Sequence, residues 1–246
     1  MTGPVRRISL WSGPRNISTA VMYAFRERPD TRVVDEPLYA HYLAHSRASH
    51  PGIDAVLGAQ DADPSRVIEQ VFFGPVDRPL LFMKNMAHHL EGIDDWEFLD
   101  GLENVILTRH PREMLPSLTI QVPDAALSET GYPMQVRLLE HLEARGRRPL
   151  VVEAMRLLLA PGPVLRDLCD GLGIPWSPEM LQWEAGPKPE DGVWAPHWYH
   201  QVHRSTGFAP YRPKTEPFPA LLVPLLEQCL PLYERLGEHA IAAPDA

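Results

Sequence analysis

The chain has 246 residues, 44% of them hydrophobic and 22% charged, the profile of an ordinary folded domain rather than a disordered one. Its 32 acidic residues against 23 basic ones leave a formal charge of −9, which argues against a general nucleic-acid binder, and no apolar run approaches the about 20 residues needed to cross a bilayer. Two cysteines far apart, Cys169 and Cys229, exclude a disulfide scaffold and a zinc ribbon.

Taken in chain order, the first strand is expected at Arg7 to Trp11, followed by Ser-Gly-Pro and a helix from Ile17 to Arg28. Met1 to Ser12 lacks the apolar core of a signal peptide, so a cytoplasmic location is expected. A second strand, Arg32 to Asp35, runs into Glu36-Pro37, and a third, nearly continuous apolar run spans Pro79 to Lys84. Asn104 to Thr108 is a fourth strand, followed by Arg109-His110-Pro111 and a helix; Tyr132 to Arg145 is helical, and Pro149 to Glu153 is a fifth strand. Continuous apolar strands alternating with helices predict an α/β fold, a parallel sheet of about five strands covered on both faces. Many of the 27 prolines fall from Pro161 onward, which predicts a loop-rich C-terminal third. A long segment at about 186–213, rich in aromatic and basic residues, reads as an ordered functional loop. The last helix, about 217–239, carries leucines at helical spacing for packing, with Pro224 and Pro231 expected to kink or split it.

Two strand–turn–helix segments carry the chemistry. In the first, Ile8 to Ala20, a tight turn aims backbone N–H groups and a positive helix end at one spot, and Arg15, Ser18 and Thr19 add donors, an arrangement suited to a phosphate or sulfate. The plainer alternative is a capped helix after a strand. The Walker sequence is absent, since the loop holds no lysine and no second glycine. In the second, Arg109 ends a strand and Ser117 lies eight residues further on. Ligands of open α/β sheets bind beyond the carboxyl ends of the strands, so Arg15 and Arg109 are expected to face one crevice.

These segments resemble the sulfotransferases that use 3′-phosphoadenosine 5′-phosphosulfate (PAPS), over roughly residues 7–240, and more narrowly a bacterial sulfotransferase-like subgroup. The family's first loop reads Pro-Lys-Ser-Gly-Thr-Thr; here it is Pro14-Arg15-Asn16-Ile17-Ser18-Thr19, with arginine for lysine and isoleucine for glycine. The resemblance implies one sulfotransferase-like domain with a P-loop NTPase-like fold, a 5′-phosphosulfate held by residues 14–19, and a 3′-phosphate held by Arg109 and Ser117. The family's C-terminal Arg-Lys-Gly element is missing, and Arg204-Ser205-Thr206-Gly207 is the stand-in considered for it. Val152 replaces a tyrosine often found before the fifth-strand glutamate.

The implied activity is in-line transfer of a sulfuryl group from PAPS to a hydroxyl or amine of a small molecule, leaving 3′-phosphoadenosine 5′-phosphate (PAP), with no metal, nucleic-acid or membrane partner. Arg15 would stabilise the leaving phosphate. Glu36, in an Asp-Glu-Pro run similar to that of carbohydrate and bacterial sulfotransferases, is one candidate base; His88 or His89 is another, and Lys84 is a candidate to neutralise the sulfonate. Each has a structural reading too: a surface carboxylate for Glu36, buried hydrogen-bonding side chains for the histidines. Trp194 and Trp198 line an acceptor pocket, stack on adenine, or simply pack. His197, His200 and His203 recur at three-residue spacing without a further ligand set, which does not make a metal site. Two alternatives stay open: a P-loop-like kinase or hydrolase, and a non-catalytic nucleotide-binding relative; a pyridoxal-phosphate enzyme would have to be built on Lys84 in a short chain, which argues strongly against it.

Overall fold

The computed structural model describes residues 4–46 and 48–241, so Met1 to Gly3 of the N-terminal stretch lie outside the described residues. Five strands form one parallel sheet: β1 (Arg6–Ser12), β2 (Thr31–Asp35), β3 (Leu80–Met86), β4 (Glu103–Thr108) and β5 (Leu150–Glu153), in the spatial order β2-β3-β1-β4-β5. Each expected strand is present, displaced at its ends by at most two residues. Helices α1 (Ser18–Arg26), α2 (Tyr39–Ser46), α3 (Ile53–Ala59) and α4 (Pro64–Val67) fall before β3. After β4 come α5 (Pro111–Leu118) and α6 (Tyr132–Ala144), and after β5 come α7 (Ala154–Leu159), α8 (Pro161–Gly171), α9 (Ala195–Trp198) and α10 (Val223–Gly237).

Alternation along the strands divides the apolar side chains between the two faces of the sheet. Ile8, Leu10, Phe82, Val105 and Leu107 pack with α1 and α8, while Trp11, Leu81, Met83, Ile106 and Val151 pack with α6 and α10. Both faces are therefore buried, which explains the near-continuous hydrophobicity of the strands. Phe82 stacks on Phe25 with ring centroids 3.9 Å apart, and both are fully buried. Phe82→Ala is expected to cost about 3–5 kcal/mol, the range for deleting a buried aromatic, as read by urea denaturation.

The C-terminal helix departs from expectation. Pro224 sits in the first turn of α10, where no N–H is needed, and Pro231 lies inside a helix that stays continuous. Burial of Leu226, Cys229 and Leu236 against α6 and the sheet holds it together. Among the described residues, no helix is long and apolar enough to cross a membrane.

The strand order positions the site. From β1 the chain passes to β2 and β3 on one side of the sheet, then crosses to β4 and β5 on the other. The loops leaving β1 and β4 consequently diverge, and a crevice opens between them at the carboxyl ends. Close backbone packing also fixes the loop that leaves β1. Gly131 has φ +83°, and a Cβ there would lie 2.9 Å from Gly13 Cα. Gly131→Ala is expected to destabilise the fold by about 1–3 kcal/mol, seen as a lowered thermal midpoint, because both the dihedral and the space demand glycine.

Candidate active site

A cavity of about 460 Å³ occupies this crevice, a size suited to a nucleotide-sized ligand. Residues 14–20 form one wall. Here Arg15 and Ile17 have φ of 58° and 60°, a left-handed conformation that is a clear outlier for a β-branched residue. Asn16, buried between them, donates from Nδ2 to the Leu107 carbonyl at 3.2 Å and ties the loop to β4. The result is a turned-in loop leading straight into α1, whose first N–H groups receive no side-chain cap. Ile17, Ser18, Thr19 and Ala20 all line the cavity, which puts the start of α1 at its wall.

Arg15, Arg109 and Ser117 converge on the same place. Arg15 Nε donates to Ser117 Oγ at 3.0 Å, and Arg109 Nη1 donates to the Arg15 carbonyl at 3.0 Å. The guanidinium of Arg15 also donates to the Trp198 carbonyl at 3.4 Å, so its partners among the described residues are uncharged. Burial, followed by the neighbouring Arg109, pushes its pKa down. Arg109 is partly balanced by Glu113 at 3.2 Å. Two guanidiniums stand beside an uncapped helix start, with no carboxylate on Arg15 among the described residues, a setting of the kind that suits an anion.

The opposite wall is aromatic and acidic. Glu36 follows β2 with φ 39°; its N–H donates to the Lys84 carbonyl at 2.7 Å, and its own carbonyl accepts from Gln60 Nε2 at 3.0 Å. Lys84, on β3, is buried and donates to Asp35 Oδ1 at 3.0 Å, to Tyr199 Oη at 2.7 Å and to Glu36 Oε1. Burial raises the Glu36 pKa to about 7 against the opposing pull of Lys84. Burial would lower Lys84, but Asp35 and Glu36 outweigh it and its pKa rises. Lys84, the residue expected to neutralise the sulfonate, reaches the cavity but is already answered by two carboxylates.

His88 and His89 lie in a buried turn after β3. His89 stacks on Tyr39 at 4.8 Å, and His88 meets Tyr42 edge-on at 4.7 Å. Burial, then His50, depresses His88 to about 3, and His89 is also driven well below its ordinary value. Both are neutral rings packed among aromatics, and His88 is a weak base in that setting.

Of the C-terminal stand-in, Ser205 and Gly207 line the cavity, whereas Arg204 and Thr206 do not and are exposed. Locally, Arg204 ends a short 3-10 turn, Trp183 N–H donates to the Thr206 carbonyl at 3.2 Å, and Gly207 pairs with Gln182 in an antiparallel bridge. The basic residue this segment does place in the cavity wall is Arg212, beside Tyr211. Tyr211 bonds Glu113 Oε1, and Lys214 Nζ donates to the Glu113 carbonyl at 2.9 Å. Motif and spacing do not single out Tyr211, Arg212 or Lys214, although the two basic residues around Pro213 offer a signal.

Residues 6–240 match the family described as Sulfotransferase domain. The chain belongs to the sulfotransferase domain family. Among solved structures, it is similar to the sulfotransferase domain of the Synechococcus PCC 7002 olefin synthase, with a TM-score of 0.55 and 18% identity over 93% of this chain and 95% of that one. It is likewise similar to a sulfotransferase from Alicyclobacillus acidocaldarius, with a TM-score of 0.53 and 13% identity over 96% of each. At such identities the likeness establishes the fold, the P-loop NTPase-like α/β fold of sulfotransferases. Two curated relatives from Arabidopsis thaliana carry the names branched-chain-amino-acid aminotransferase-like protein 2 and protein 1. They are 39% and 40% identical over 233 residues, 94% of this sulfotransferase-family chain. The chain spans about two fifths of their length, 41% and 42%.

Proposed function

We propose that the chain transfers a sulfuryl group from PAPS to a hydroxyl or amine of a small-molecule acceptor. The observation that carries this reading is the pairing of Arg15 and Arg109 at the uncapped start of α1, with uncharged partners on Arg15. That donor set fits a ligand with two separate anionic groups. Residues 14–19 would hold the 5′-phosphosulfate through backbone N–H groups, Ser18, Thr19 and Arg15. Arg109 and Ser117 would hold the 3′-phosphate, with Arg212 adding charge from the C-terminal segment.

PAPS supplies a sulfuryl group whose departure leaves an electron pair, and so a negative charge, on the 5′-phosphate oxygen. Arg15 and the α1 N–H groups stabilise that charge, because they are fixed before it develops. The acceptor oxygen or nitrogen forms the new bond to sulfur, and its proton passes to Glu36. Glu36 is preferred over His88 as base because its pKa lies near neutrality while His88 is depressed to about 3. Tyr39, His50, Trp194 and Trp198 line the acceptor side, and the 186–213 segment supplies the last two. A positive charge for the transferred group comes from arginine, so the reading needs no metal.

The kinase and pyridoxal readings both require a reactive lysine. The 13–19 loop has none, and Lys84 is locked between two carboxylates. Calorimetric titration tests the reading. PAP is expected to bind with a micromolar Kd. Adenosine 5′-phosphate, which cannot form the charge-assisted hydrogen bonds of a 3′-phosphate, should bind about tenfold or more weakly. Tighter binding of ATP–Mg²⁺ than of PAP would overturn it.

A further inference from the structure

Asp35 and Tyr199 have no part in the reaction as derived above, yet they close a polar network at and behind the cavity wall. A tyrosine hydroxyl has one donor and two acceptor positions. All three are used at Tyr199: it donates to Asp35 Oδ2 at 2.7 Å, and accepts from Lys84 Nζ at 2.7 Å and Trp194 Nε1 at 3.1 Å. Lys84 likewise spends its three N–H bonds on Asp35, Glu36 and Tyr199. Asp35 receives donors on both oxygens, with Gly192 N–H adding a third at 3.1 Å.

Glu36 is different. Its Oε1 receives Lys84, but among the described residues its Oε2 has no hydrogen-bond donor, and His89 Nε2 stands off at 3.9 Å. Glu36, Lys84 and Tyr199 reach the cavity; Asp35 lies behind them. Replacing a buried ion pair by apolar side chains is often neutral or stabilising, so stability alone does not account for three such groups here.

We propose that Tyr199 and Asp35 are positioning residues that fix Lys84 against one oxygen of Glu36 and leave the other oxygen to take the acceptor's proton. This rests on the reading of Glu36 as the base. The segment around 186–205 then forms part of the base, because Tyr199 and Gly192 both come from it. The groups facing Glu36 are Asp35 at the end of β2, Lys84 on β3, His89 just after β3, Tyr39 on α2 and Tyr199 just after α9.

The direction of each perturbation follows. Without the Tyr199 hydroxyl, Asp35 loses a donor and draws Lys84 toward itself, so Glu36 holds its proton more tightly. Without the Asp35 charge, Lys84 pairs with Glu36 alone, and Glu36 releases its proton more easily.

The test is an infrared titration of the Glu36 carboxyl band in ¹³C-glutamate-labelled protein, assigned by its loss in Glu36→Gln. Tyr199→Phe is expected to move the midpoint up and Asp35→Asn to move it down, each by about half to one pH unit, the size of one hydrogen bond. Opposite shifts are the signature, since mere loosening of the wall would move both variants the same way. Unchanged midpoints, or shifts of the same sign, would overturn the proposal. Tyr199→Phe keeps the ring and its packing, so an unmoved or lowered midpoint in that variant overturns it even where Asp35→Asn does not fold. PAP affinity is measured alongside and is expected to stay within about threefold of wild type in both variants, a change smaller than one hydrogen bond. Failure of PAP to bind the wild-type protein would count against the sulfotransferase reading, while the midpoints would still decide the positioning.

Discussion

Arg15→Ala is expected to weaken PAP binding by about a hundredfold or more, because it removes charge-assisted hydrogen bonds worth about 1.5–3 kcal/mol each. The effect should be larger than for an exposed arginine, since Arg15 is partly buried and no carboxylate among the described residues competes for it. Arg15→Lys should recover part of the affinity: it keeps the charge but lacks the planar fork that reaches Ser117 and a ligand together. Salt should weaken wild-type binding and affect Arg15→Ala less. Calorimetry on the three proteins checks this, with circular dichroism to confirm folding. Equal affinities for wild type and Arg15→Ala would remove the 5′-phosphosulfate assignment.

Glu36→Gln is expected to lower kcat by about 10²–10⁴, the usual contribution of a general base, while leaving PAP affinity nearly unchanged. The readout is PAP release in the presence of an acceptor that the wild-type protein turns over. A base must be ionised, so wild-type kcat should rise with pH through about 7, following Glu36. Stability should show the opposite trend. The native value lies above the ordinary 4.5, so between those two pH values the folded protein binds a proton that the unfolded chain has released. Stability therefore falls as pH rises through that window, and Glu36→Gln should flatten this part of the profile. A Glu36→Gln protein of undiminished turnover would move the base to another residue.

Much of this architecture is written in local patterns. The five strands are runs of apolar residues bounded by turns, and burial on both sheet faces is what makes those runs continuous. The convergence of Arg15, Arg109 and Ser117 also follows locally, since each stands at a fixed offset from the carboxyl end of β1 or β4, and those strands are neighbours. The network behind Glu36 is another matter. Lys84 and Tyr199 are 115 residues apart, and no spacing or composition rule joins a strand lysine to a tyrosine in a long connecting segment. The same limit explains Arg204. Its Arg-Ser-Thr-Gly run reads as a stand-in for a missing family element, but Arg204 ends a short 3-10 turn, is exposed and does not line the cavity. Proline reasoning fails at Pro231 because tertiary burial of α10 outweighs one missing backbone bond.

The proposed activity requires two loops to hold two phosphates, and a crystal structure of the PAP complex tests that most directly. The 5′-phosphate is expected on the N–H groups of Ile17 to Thr19 and on Arg15, with the 3′-phosphate on Arg109 and Ser117. PAP bound in the reverse sense, or away from the β1–β4 crevice, would contradict it.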